Sequence, residues 1–270
     1  MRMGTVVKAT VFLGGGRITT ALVAGLRLAK YAKPIIVHDR NPDKLRQLKK
    51  QYGVAVEPNL RRAVEQAGLL IIAVRPDSVS ELLQEVEKIH HPLSLVSLAA
   101  GIPVSKLYAR LGPPARWARA MPSPVCRSGH GLTALTFDRA FSRNARREVK
   151  DLFEKVGTVL EISESQFDAF TVTYSSSHGY HALATLAAAA HKLGLDRKDA
   201  LAAAAHALAD GILSWREGNI LLTRLLHEAA TPGGIAAAVT NAMDSFGYQR
   251  IIQQGLQAGM SRARKNAKRA

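Results

Sequence analysis

Residues 6–26, VVKATVFLGGGRITTALVAGL, constrain the fold of this chain most. A β-rich apolar run ends at Leu13, three glycines follow, and Ile18, Leu22 and Leu26 then recur at helical spacing on one face. Strand, tight turn and helix in that order bring a helix N-terminus to a pyrophosphate. The unpaired N–H groups of the first turn and the positive end of the helix dipole accept phosphate without a charged side chain. Gly14 makes the tight turn and Gly16 lets the backbone approach the phosphates, with Gly15, Arg17 and Ile18 completing the loop. The third small position of the fingerprint is Thr19 rather than Gly or Ala.

The alternation continues. Residues 34–37 read as a second strand that ends at His38-Asp39-Arg40, where a dinucleotide fold meets the adenosine ribose. An Asp there suits a free 2′-OH and NADH; an Arg suits a 2′-phosphate and NADPH. Arg40, with Asn41 and Lys44 beside it, forms a phosphate clamp and points to NADPH, while Asp39 either leaves NADH open or caps the next turn. Further strands are expected at 54–56, 69–74 and in LSLVSLAAGI, with helices at 59–67 and 77–89. Repeated βα units imply a parallel sheet with right-handed crossovers and ligands at the carboxyl ends of its strands. Val74-Arg75-Pro76 and Ala99-Ala100-Gly101 fall at such ends and are expected near the nicotinamide half of the cofactor. Three more strands are expected, in ARWARAM, GLTALTF and VGTVLEI, around a basic helix at 141–155. The fold class is therefore an α/β Rossmann-type dinucleotide-binding domain, placed at 1–162, followed by an all-α domain at 163–270.

From Ser163 onward strand alternation disappears and Ala, Leu and His dominate. Helices are expected at 165–192, from Asp196 to about Arg216, at 219–229, and over a last stretch with Phe246, Ile251, Ile252, Leu256 and Met260. In TPGGIAAAV, Thr231 reads as an N-cap and Pro232 as the first helical residue, with Gly233 and Gly234 leaving the amides open. That is a second anion site, suited to a substrate carboxylate. An Ala-rich stripe such as LAAAAHALADGIL packs best against another helix, so this thin domain is expected to bury its apolar face in a second copy, making at least a dimer. The tail SRARKNAKRA reads as solvated and frayed.

No apolar run of about 18 residues marks a membrane span, and the N-terminus does not read as a signal peptide. A single cysteine, Cys126, excludes an internal disulfide and fits the cytoplasm. The net charge of +16 suits anionic substrates and cofactors; nucleic acid is not expected, because no helix-turn-helix signature or aromatic stacking motif accompanies it. No metal site is expected, for want of HExxH or a Cys cluster.

The pieces FLGGGRITTALVAGL, DRNPDKL, LLIIAVRPDSV, SLAAGI, RAMPSPV and TPGG, in this order and spacing, resemble the pyrroline-5-carboxylate reductase family over nearly the whole chain. The resemblance implies a Rossmann domain followed by a helical dimerisation domain, and NAD(P)H-dependent reduction of a cyclic imine to proline. It also implies a substrate loop at Thr231, Pro232, Gly233, Gly234, Ile235 and Ala236 whose backbone amides hold the carboxylate. Several positions depart from the family pattern. Arg17 stands for Asn, Arg75 for Lys, and Ser123-Pro124-Val125 for Asn-Thr-Pro. Ile235 and Ala236 replace residues of which one carries a hydroxyl toward the imine nitrogen, and SSSHGYH at 175–181 replaces SGSGPAY. These changes gather on the substrate side.

Hydride transfer to C=N is fast once the nitrogen is protonated, and a cyclic imine is basic enough to protonate in part near neutral pH. His178, Tyr180 and His181 are the candidate proton donors in place of the absent hydroxyl, or else helix and dimer-seam residues. Two alternatives stay open. One is a related reductase of another carboxylate-bearing imine or keto substrate, such as the β-hydroxyacid dehydrogenases, whose catalytic Lys has no counterpart here. The other is a non-catalytic dinucleotide-binding protein.

Overall fold

A computed structural model describes residues 8–86, 89–218 and 220–269. Val6 and Val7 of the expected first strand, residues 87–88 of the helix expected at 77–89, and residue 219 lie outside the described residues. Two compact units are formed, Met1–Tyr174 with Gly259–Ala270, and Ser175–Ala258.

The first unit alternates strand and helix: β1 (Ala9–Leu13), α1 (Arg17–Leu28), β2 (Ile35–His38), α2 (Pro42–Tyr52), β3 (Ala55–Val56), α3 (Leu60–Glu65), β4 (Ala67–Ile72), α4 (Val79–Val86), β5 (Leu93–Ser97), α5 (Val104–Arg110), β6 (Ala115–Met121), β7 (Gly131–Phe137), α6 (Arg143–Glu154) and β8 (Gly157–Glu161). The strands form one sheet in the order β3-β2-β1-β4-β5-β6-β7-β8. Pairing is parallel except between β6 and β7, which run antiparallel. The repeated βα units are parallel as expected, and the residues joining β6 and β7 are too few for a crossover helix, so that one pair is antiparallel.

Both faces of the sheet are covered, which explains why its central strands read as continuous apolar runs. Phe12, Val37, Leu69 and Ile71 face α1 and α6 side chains such as Leu22, Leu26 and Phe153. Val11, Leu13, Leu70 and Ile72, with Trp117 of β6, pack in the cluster on the other face with Leu82 and Leu83 of α4. α1 lies so close to the turn Pro124–Ser128 that a Cβ on Gly25 would come 2.1 Å from the carbonyl oxygen of Cys126. Gly25→Ala is therefore expected to cost about 2–3 kcal/mol, lowering Tm by roughly 4–12 °C. An unchanged melting curve would show that helix and turn do not meet this closely.

The helices that follow are α7 (Glu164–Thr173), α8 (Ser176–Lys192), α9 (Arg197–Glu217), α10 (Leu222–Ala229), α11 (Ile235–Ser245) and α12 (Tyr248–Arg269). The single helix expected at 165–192 is two, because Ser175 caps a new helix by accepting the amide of Ser177. Composition changes at Ser163, but the compact units part at Tyr174. α7 is held on the sheet by the buried Arg119 of β6, whose guanidinium donates to Glu164 (2.8 Å) and Asp168 (2.9 Å) and lies 4.1 Å from the Phe167 ring centroid. Nor is the basic tail frayed. It is helical to Arg269, and its buried Ala263 packs on Gly101 of the first unit.

The second unit has almost no core of its own. Ala200, Ala204 and Ala237 are its buried hydrophobic residues among those described, while Leu193, Leu221, Ile235 and Phe246 are 76–90% exposed. No helix among the described residues is long and apolar enough to cross a membrane.

Candidate active site

β1 lies between β2 and β4, where the strand order reverses and a crevice opens at the carboxyl ends. The Gly14 amide donates to the His38 carbonyl (2.7 Å) and the Ala73 amide to that of Leu13 (2.8 Å), tying the ends of β2, β1 and β4 together. Gly14 has φ +109°, and a Cβ there would lie 2.6 Å from the Ala73 carbonyl oxygen. Gly16 is the N-cap of α1 at φ −79°, with no side-chain cap and nothing within 4 Å of a Cβ. No acidic residue occupies the first turn, so the amides that begin at the exposed Arg17 and at Ile18 form an open anion site. Thr19 is not a defect in the fingerprint, for its buried hydroxyl donates to the Gly14 carbonyl (2.5 Å) and braces the turn.

At the adenosine end, Asp39 serves the protein itself. Its Oδ2 accepts the Gly15 amide (2.7 Å) and lies 3.4 Å from Lys44 Nζ, and its Oδ1 accepts the Asn41 amide (2.8 Å). Burial alone would raise its pKa. The two amide hydrogen bonds and Lys44 outweigh that and hold the carboxyl below its ordinary range. Asn41 caps α2 by accepting the Asp43 amide at its Oδ1 (2.9 Å), a role that engages the acceptor end of the side chain and not its NH2 donors. Arg40 is exposed and reaches Glu81 and Glu85 of α4.

Val74 and the 85%-exposed Arg75 follow β4, with Arg75 Nε 3.7 Å from Asp77; Pro76 opens a single 3₁₀ turn. After β5, Ala99 is buried, the Ala100 carbonyl accepts from Asn266 (3.2 Å), and Gly101 has φ +77° with its Cβ position 2.6 Å from the Ala263 carbonyl oxygen. Gly101 is therefore fixed by α12, a reason the sequence did not disclose. Beyond β6, buried Ser123 accepts from Tyr174 Oη (3.0 Å), which itself accepts the Leu132 amide (2.8 Å). Neither Arg119 nor Tyr174 stands out by motif or spacing as an organising residue. An Arg inside an otherwise buried strand was the available signal. Cys126 is buried and its thiol is pushed up to about 12 by desolvation, so it supplies no thiolate near neutral pH.

In the second unit, Thr231 is not the N-cap and Pro232 does not start the helix. α11 begins at Ile235 with Gly234 as an N-cap that offers no side chain. TPGG is a turn, closed by the Gly234 amide on the Thr231 carbonyl (2.9 Å), with Pro232 second and Gly233 third at φ +78°. This is the type II pattern, which needs a left-handed third residue and so outcompetes the helical start. The first helical amides are therefore those of Ile235 and Ala236, and Ile235 is 86% exposed. The nearby hydroxyl of Thr240 is bonded to the Ala236 carbonyl (3.1 Å). His178, Tyr180 and His181 lie in the first two turns of α8, all exposed. No group of three or more His, Cys, Asp or Glu that could hold a metal occurs among the described residues.

Sheet order, glycine turn and uncapped α1 define a Rossmann-type dinucleotide-binding protein with a helical C-terminal part. The profile described as NADP oxidoreductase coenzyme F420-dependent matches residues 10–101, and that described as pyrroline-5-carboxylate reductase dimerisation matches 164–266. The chain is 30% identical over 278 residues to the pyrroline-5-carboxylate reductase of Mycobacterium tuberculosis, covering 93% of this chain and 94% of that one. It is 32% identical over 265 residues to that of Thermus thermophilus, covering 93% and 95%. This chain belongs to the pyrroline-5-carboxylate reductase family. Its fold matches a crystal structure of the Plasmodium falciparum pyrroline carboxylate reductase with NADP bound at TM-score 0.86, with 19% identity and coverage of 98% and 100%.

Proposed function

We propose that this protein reduces 1-pyrroline-5-carboxylate to L-proline with NADPH. The observation that carries the proposal is the open, uncapped α1 N-terminus behind Gly14–Gly16 in a chain of this family. NADPH supplies the hydride that the C=N carbon receives, and the ring nitrogen ends with an N–H. The chain's own residues bind and orient. The α1 amides hold the pyrophosphate, Arg40 with Lys44 the 2′-phosphate, and the loops at Val74–Pro76 and Ala99–Gly101 the nicotinamide half. The amides of Ile235 and Ala236 hold the substrate carboxylate, presented by the Thr231–Gly234 turn. The protonated fraction of the imine already carries the one proton that reduction needs, and for the neutral fraction His178, Tyr180 or His181 donates it. The positive net charge favours both anionic ligands. The one cysteine, a buried thiol, agrees with a cytoplasmic location.

A second substrate, another small carboxylate-bearing imine or keto acid, is favoured at one point: Ile235 and Ala236 bring no hydroxyl. One experiment decides. NADPH is titrated into the protein, pyrroline-5-carboxylate is added, and absorbance at 340 nm is followed. Binding with turnover supports the proposal. Binding without turnover points to the other substrate or to a non-catalytic role, and absence of binding removes the cofactor reading.

The second unit is completed by another copy. One face of α8, lined by His181, Ala184, Thr185, Ala188, Ala189 and Lys192, is an open groove of about 510 Å³. Val239, Met243, Phe246 and Ile251 line an apolar groove of about 420 Å³. Faces this apolar are rarely left in water. Full-length protein is expected to sediment as a dimer or larger assembly at micromolar concentration. A stably folded monomer there would refute the assembly.

A further inference from the structure

Arg40 leaves the end of β2 and crosses to the helix that follows β4. Its Nη1 lies 3.1 Å from Glu81 Oε1 and its Nη2 2.5 Å from Glu85 Oε1. Glu81 and Glu85 are one helical turn apart, so two carboxylates on one stripe of α4 converge on one guanidinium. The dinucleotide crevice of this sheet opens between the loops after β1 and β4, with the ribose end at β2. The ion pairs therefore span the adenosine side of that crevice. All three side chains are 45–60% exposed, and pairs so exposed contribute little to folding. Lys44, the other cation of the clamp, lies 3.4 Å from the carboxylate of Asp39.

We infer that Glu81 and Glu85 are specificity-determining residues that compete with the cofactor's 2′-phosphate for Arg40 and narrow the preference for NADPH over NADH. The inference rests on the reading that Arg40 receives that phosphate. A 2′-phosphate must displace both carboxylates from the guanidinium and then sit close to them while itself carrying close to two negative charges. NADH, which has a hydroxyl at that position, does neither. The two carboxylates thus act against one cofactor only.

The test uses 2′,5′-ADP and 5′-AMP as probes with and without the phosphate, titrated calorimetrically into full-length protein at low salt. The paired change Glu81→Gln with Glu85→Gln keeps shape and removes both charges. It is expected to tighten 2′,5′-ADP about three- to tenfold and leave 5′-AMP within about twofold. Each single change gives a smaller step in the same direction, and 0.5 M salt shrinks the effect by screening. Arg40→Met, measured alongside, is expected to weaken 2′,5′-ADP about tenfold and spare 5′-AMP. If Arg40→Met behaves so but the paired Gln change moves neither probe, or both equally, the competition is overturned and the role of Arg40 stands. If Arg40→Met leaves 2′,5′-ADP untouched, both readings fall.

Discussion

Gly233→Val is expected to lower kcat/KM for 1-pyrroline-5-carboxylate by about 10²-fold while NADPH binding stays within about twofold. Space is not the reason, since nothing lies within 4 Å of a Cβ at Gly233. Conformation is. Gly233 sits at φ +78°, where a β-branched residue costs about 1–2 kcal/mol or more. The turn then reopens, the Gly234–Thr231 hydrogen bond is lost, and the first amides of α11 swing off the carboxylate. Loss of a charge-assisted hydrogen bond adds about 1.5–3 kcal/mol, for a total of about 2.5–5 kcal/mol, so a hundredfold effect, about 2.7 kcal/mol, is the low end of what is expected. Gly233→Asn, which tolerates the left-handed region, is expected to keep most of the activity. Steady-state kinetics of the two variants check this. Normal turnover by Gly233→Val would mean that the carboxylate is held elsewhere.

Gly14 and Gly16 are expected to fail in different ways. Gly14→Ala forces a Cβ into the Ala73 carbonyl at an unfavourable φ, so stability and NADPH binding fall together. Gly16→Val keeps an extended backbone open to any residue and meets no protein atom, so its melting temperature should match that of the parent protein. Its side chain instead stands over the α1 N-terminus, in the path of the pyrophosphate. NADPH and NADH should both weaken, by about 10- to 100-fold. Loss of both cofactors would separate this role from the one proposed for Arg40, which concerns the 2′-phosphate alone. Fluorescence titration with each cofactor, beside thermal melts, is the measurement. Undiminished NADPH binding by Gly16→Val would remove the pyrophosphate from this turn.

The sequence by itself did not mark α5 or the break between α7 and α8, but it determined the strands, most of the helices, the glycine turn and the family. Each is written in local signals. Apolar runs such as residues 69–72 mark strands buried on both faces, and Leu22 and Leu26 mark the inner face of α1. Gly14, at φ +109°, marks a turn that few other residues could make. For TPGG the local sequence does not settle where the helix starts: Thr231 is not its cap. Thr-Pro reads equally well as a helix start or as the opening of a type II turn, and the left-handed Gly233 decides between them. What only the tertiary structure decided are pairings between residues far apart in the chain. Arg40 meets Glu81 and Glu85 because the sheet order sets β2 and the helix after β4 on opposite sides of one crevice. Arg119 holds α7 to the sheet, so the compact unit runs past the change in composition at Ser163. Gly25 and Gly101 are required by Cys126 and Ala263, each more than 100 residues away. Periodicity and capping act over a few residues and leave their mark in the local sequence, whereas close approach of two backbones is a property of the assembled layers.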